Sequence, residues 1–121
     1  MLSLHKLGPP DVKKFLKVAA FSFGTLMPTR GKDLPEILRD DVCVVLLDEI
    51  KSKIYLWTGE KANLLDKVKA AYLSRVLNWK LFGGAAEIIQ DNNVIQSELS
   101  KFKLILSDLP RAYLRGILEP E

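Results

Sequence analysis

Between Asp40 and Asp48 the chain runs two acids, the apolar stretch Val42-Cys43-Val44-Val45-Leu46-Leu47, and an acid. A short, continuous, β-branched run of this kind predicts a strand buried on both faces. Glu49 to Lys53 is mostly polar and turn-sized. Ile54-Tyr55-Leu56-Trp57 then predicts a second strand, stopped by Gly59. The short connection makes the two an antiparallel hairpin. Upstream, Gly8-Pro9-Pro10 ends a leader, and Asp11 is placed to cap a helical turn over Val12–Lys17. Val18–Leu26, with Phe21 and Phe23 at strand spacing, predicts a strand. Met27–Leu38 carries two prolines and a glycine and predicts a loop with a short turn. Downstream, Ala62 to about Trp79 is the longest helical pattern, and Gly83-Gly84 stops it. Ala86–Gln90 predicts a third clear strand and Asp91-Asn92-Asn93 a turn. Val94–Leu106 is ambiguous, with Gln96–Lys101 readable as a helical turn and Phe102–Leu106 as a strand. Pro110 opens a last helix, Arg111–Leu118. The expected class is mixed α/β (α+β), a small sheet with helices on its faces. Residues 1–17 are expected to be leader and helical turn, and 18–121 the domain.

The long helix carries more apolar surface than one buried stripe requires. On a wheel of ~100° per residue, Ala62, Ala70, Leu73 and Leu77 fall on one side. Leu64, Leu65, Val68, Tyr72, Val76 and Trp79 fall on another arc, which also holds Arg75. The polar arc of Asn63, Lys67, Ser74 and Asn78 is narrow. Two readings stand. Both arcs are buried within the domain, or the second lies in a partner's cleft as a helix in a groove. An exposed apolar patch of that length is unusual on a lone monomer.

Composition narrows the function classes. The chain has 121 residues, 48% apolar and 27% charged, enough for one core without staples. The single cysteine, Cys43, precludes an intramolecular disulfide and suits a reducing compartment. No apolar run reaches the ~18 residues of a membrane span. Met1–Pro10 lacks the apolar core of a secretory signal, so a cytoplasmic location is expected. Net charge is +3, but the charges are mixed along the chain, with no Lys/Arg run interleaved with aromatics. Nucleic acid is therefore not an expected partner. Lys13, Lys14 and Lys17 offer a contact for an anionic lipid surface, against the plainer reading of a solvated helix face.

Enzymatic chemistry is not expected. His5, the lone histidine, lies in the leader, where no triad would hold it. Cys43 sits mid-strand in an apolar run, the setting of an inert buried thiol. The chain has no CxxC, HExxH, GxxxxGK[ST] or GxGxxG motif.

Asp40-Asp41-Val42-Cys43-Val44-Val45-Leu46-Leu47-Asp48, followed by Lys53-Ile54-Tyr55-Leu56-Trp57-Thr58-Gly59-Glu60-Lys61-Ala62-Asn63, resembles a gelsolin/villin repeat. The shared pattern is an acidic pair, an apolar strand ending in Leu-Asp, a strand ending in Trp-x-Gly, and a helix with regularly spaced alanines. Ala70 occupies one alanine position and Ser74 replaces the next. Glu98-Leu99-Ser100-Lys101-Phe102 resembles the family's Glu-x-x-x-Phe before its last strand. The likeness spans roughly Val18 to Leu106.

This resemblance implies a central mixed sheet of about five strands between a long and a short helix. It also implies an actin-binding role in which the long helix enters a cleft of the actin subunit, with Leu64, Leu65, Val68, Tyr72, Arg75 and Trp79 as contacts. Where family repeats carry charges near the helix start, this chain has Leu64-Leu65. The resemblance further implies a calcium site of Asp40 through its carbonyl, Asp41 through its carboxylate, and Asp66 in place of the usual glutamate. Glu119 or Glu121 would have to supply a later ligand. Against that site, Asp41 serves equally to end a strand, and Asp66 to pair with Lys67 or Lys69. The competing function is a scaffold or dimerising module without an actin role, like gelsolin-like domains of coat proteins or longin and roadblock GTPase platforms. A homodimer through Ala62–Trp79 would favour that class.

Overall fold

The computed structural model describes residues 14–24 and 32–115. In chain order they form β1 (Lys14–Phe23), α1 (Leu34–Ile37), β2 (Cys43–Asp48), β3 (Lys53–Thr58), α2 (Leu64–Phe82), β4 (Glu87–Ile89), α3 (Asn92–Leu99), β5 (Phe102–Asp108) and α4 (Arg111–Leu114). The strands make one sheet in the order β4-β3-β2-β1-β5. β2 runs antiparallel to both neighbours, β1 and β3. β4 and β5 lie parallel to β3 and β1. The fold is α+β, with a mixed five-stranded sheet between the long helix α2 and the shorter α3.

β2 is the central strand, and all its residues are buried, as its unbroken apolar run requires. Side chains alternate between the two faces. Val44 and Leu46 join Val18, Ala20, Tyr55 and Trp57 beneath Ile95 and Leu99 of α3. Cys43, Val45 and Leu47 join Phe23, Ile54 and Leu56 beneath Ala70, Leu73 and Leu77 of α2. The β2–β3 hairpin forms as expected, with Asp48 opposite Lys53. The buried Asp48 carboxylate accepts from Lys51 N through Oδ1 at 3.1 Å and ties down the turn.

The Trp57-Thr58-Gly59 motif has a specific structural duty. Trp57 Nε1 donates to Arg39 O at 2.9 Å. Gly59 N donates to Val42 O at 2.9 Å and Lys61 N to Asp40 O at 2.7 Å. The backbones approach so closely that a Cβ on Gly59 would collide with the Asp40 and Val42 carbonyls. Asn92 clamps the same strand end, its amide donating to Thr58 O at 2.7 Å and accepting from Thr58 N at 3.2 Å.

Some expectations are corrected and one ambiguity is resolved. The helical turn over Val12–Lys17 is not formed by its described part: Lys14–Lys17 extends β1. Leu16 and Val18 point into the core while Phe15 and Lys17 point out, a period of two, and Lys14 already pairs with Phe102. The sheet therefore begins before residue 18, and Lys14 and Lys17 do not share a helix face. Asp91-Asn92-Asn93 is a helix start, with Asp91 Oδ1 accepting from Asn93 N at 2.9 Å and Val94 N at 3.2 Å. The ambiguous stretch resolves into α3 and β5, both elements full length. The last helix is expected to run from Arg111 to Leu118, but α4 stops at Leu114 and Arg115 is already extended. His5, Asp11, Lys13, Glu119 and Glu121 lie outside the described residues.

Candidate functional site

The start and stop of α2 are written locally. Asn63 is the N-cap, its Oδ1 accepting from Asp66 N at 2.8 Å. At the other end Gly83 takes φ 60°, the left-handed conformation that glycine adopts without a Cβ penalty. Gly84 N donates back to Asn78 O at 3.0 Å, closing the turn. Asn78 then holds the following chain by accepting from Ala86 N at 2.8 Å. A Cβ at Gly84 would rest against the Trp79 ring at an ordinary contact distance of 3.5 Å, so what favours glycine there is its φ of 89°.

Between these ends α2 turns one arc to the sheet and leaves the other in the open. Ala70, Leu73, Ser74 and Leu77 are buried. Ser74, expected on a polar arc, belongs to the buried face. Its hydroxyl donates to Ala70 O at 3.0 Å, so a small polar residue is satisfied within its own helix. The outer arc stays uncovered among the described residues. Leu64, Leu65, Val68, Tyr72 and Trp79 remain between 51% and 75% exposed. Arg75 is exposed among them. Val76, assigned to the same arc, instead packs partly against the α2-side core. The centres of the two arcs lie about 180° apart on the wheel, and the stripe from Leu64 to Trp79 is about 22 Å long. α2 carries Lys67, Lys69, Arg75 and Lys80 against the single acid Asp66, so the stripe has basic borders.

The metal candidates sit differently. Asp40 O accepts from Lys61 N. The Asp41 carboxylate accepts from Arg39 Nη2 at 2.7 Å. Asp66 lies in the first turn of α2 and near enough to Cys43 to raise its thiol pKa, although burial is the larger cause. No three His, Cys, Asp or Glu side chains among the described residues come together as a metal-holding group. Calcium takes roughly six to eight oxygens, backbone carbonyls and water among them.

A shallow groove of about 360 Å³ lies between α1 and α3, lined by Leu34, Pro35, Leu38, Gln96, Ser97 and Ser100. It offers no acid, base or charged group to a substrate. No helix among the described residues is long and apolar enough to cross a membrane. The outer arc of α2 is thus the most distinctive surface, and sequence periodicity had located its residues without deciding their exposure. No family model and no curated protein matches this sequence.

Proposed function

We propose that this domain is a non-enzymatic binding module that acts by seating the outer arc of α2 in an apolar cleft of a protein partner. The observation that carries this reading is the exposure of Leu64, Leu65, Val68, Tyr72 and Trp79 along one face of an otherwise well-packed helix. Burying such a stripe removes apolar area from water at roughly 25 cal/mol per Å². Its basic borders favour a cleft with acidic rims.

The resemblance to gelsolin repeats supplies the identity of the partner: an actin or actin-like subunit in the cytoplasm, whose assembly the module alters by occupying the cleft. The five-stranded sheet between a long and a short helix is compatible with that resemblance. A calcium role through Asp40, Asp41 and Asp66 rests on the resemblance alone. Calorimetry tests it, since heat that disappears in Asp41→Ala is expected if calcium binds there.

Co-sedimentation and monomer-assembly assays test the main reading. Binding that is lost in Tyr72→Ser and Trp79→Ser, both still folded, is the expected result. An unchanged assembly curve for every actin tried, with and without calcium, overturns the actin assignment. Retention of partner binding by both variants overturns the α2 interface itself.

A further inference from the structure

The exposed residues of α2 are spaced more strictly than a general apolar face requires. Leu65, Val68, Tyr72, Arg75 and Trp79 follow one another at intervals of three, four, three and four residues, and all five are exposed. This is the alternation of a helix–helix seam, narrower than the stripe a helix turns to a sheet. On the wheel the five fall within about 80°. The borders of the seam are low. Ala71 is small and half-buried, and Val76 packs partly into the α2-side core. The exposed side chains therefore stand as one ridge, the shape that packs into the groove of a second helix.

Charge says what that helix carries. Arg75 sits within the seam. One turn away in either direction α2 offers it Ala71, Tyr72, Asn78 and Trp79, none of them acidic. A guanidinium covered by a partner needs a carboxylate, because an unpaired buried charge is costly. Lys67, Lys69 and Lys80 add further bases to α2, against Asp66 alone. The same side of the sheet exposes two more. Alternation along β1 puts Lys17 on the face of Ala19, Phe21 and Phe23, and the β1–β5 register puts Lys103 beside Phe15 on that face. These positions hold six bases and one acid in a chain whose net charge is only +3, so positive charge is gathered on the α2 side. A second copy of this chain would set like charge against like. A flat lipid surface does not call for a seam spaced three and four.

We propose that the element seated on the outer arc is an acidic amphipathic helix of another protein. It packs lengthwise along the seam from Leu65 to Trp79 and brings a carboxylate to Arg75. Tyr72 and Trp79 are the apolar anchors, since large aromatic side chains dominate such interfaces once covered. The charged borders speed encounter and exclude basic helices. This inference rests on the outer arc being the interface, but not on the partner being an actin. An actin that fails to bind removes that name and leaves the acidic helix standing, and the reverse result is equally readable.

The test uses the full chain and two synthetic peptides of four heptads, with leucine at both seam positions and either glutamate or lysine at the flanking positions. Fluorescence anisotropy is expected to show the glutamate peptide binding at least about tenfold tighter than the lysine peptide, with a preference that shrinks as salt is raised. Trp79→Ser is expected to weaken the glutamate peptide more than about tenfold, and Arg75→Glu to abolish the preference, both with an unchanged circular dichroism spectrum. Gln96→Ala, in the groove between α1 and α3, is expected to change neither affinity. Equal affinity for the two peptides, binding of neither, or full binding by both α2 variants overturns the proposal. So does a dimer of the free chain that Trp79→Ser dissociates, which would give the seam to a second copy. Binding to phosphatidylserine vesicles without binding to the glutamate peptide overturns it in favour of a lipid surface.

Discussion

The two arcs of α2 are built from similar residues and meet opposite fates. Leu73 and Leu77 are wholly buried, whereas Leu64 and Leu65 on the same helix are mostly in water. Hydrophobicity does not separate them. Position relative to the sheet does, and so does size. The inner arc alternates leucines with Ala70 and Ser74, small residues that let the helix sit close over Cys43, Val45 and Leu47. The outer arc carries Tyr72 and Trp79, whose large surface contributes little to folding while exposed and much to an interface once buried. One helix therefore divides its apolar residues between holding the domain together and a face left to solvent.

That division can be broken experimentally, beginning where the effect is largest. Leu73→Ala empties a fully buried site and is expected to cost about 2–5 kcal/mol, read as a lower urea midpoint at unchanged slope. Ser74→Leu forces a branched side chain between helix and sheet, with an expected loss of about 1–3 kcal/mol in the same titration. Ser74→Ala is the matching control, and a large loss there would show that the hydroxyl rather than the volume matters. Asn63→Ala removes the cap that orients the first turn and is expected to cost about 1 kcal/mol. Leu65→Ser and Tyr72→Ser on the outer arc should change stability by no more than about 0.5 kcal/mol. A loss of several kcal/mol from either outer variant would mean that this arc is part of the core, and the contrast between the arcs would collapse.

Much of this architecture is legible along the chain, for reasons tied to particular residues. The β2–β3 hairpin is visible because an unbroken apolar run, a turn and a second run leave few alternatives. The Trp57-Thr58-Gly59 motif marks a contact whose cause is steric: only glycine fits against the Asp40 and Val42 carbonyls. The first half of β1 is harder to read. Lys14, Phe15 and Lys17 suggest a solvated helix, and only pairing with β5, which lies far along the chain, makes them a strand. Asn92 is likewise hidden, because its two hydrogen bonds to Thr58 link residues distant in sequence. The role of Ser74 was obscured by polarity, since its hydroxyl is satisfied by Ala70 O and so tolerates burial.

The sequence by itself determined that α2 would be a long helix with two apolar arcs, because a 3.6-residue repeat is a local property of the chain. It could not say which arc would meet the sheet or whether a second layer would cover the other. Those outcomes depend on where β1 to β4 lie and on how far the rest of the chain can reach. The tertiary structure decided them. It placed Ala70, Leu73, Ser74 and Leu77 on the central strands and left Leu64, Leu65, Val68, Tyr72 and Trp79 exposed. Among the described residues it also left β5 as the longer edge strand of the sheet, a property of strand order that no local pattern carries.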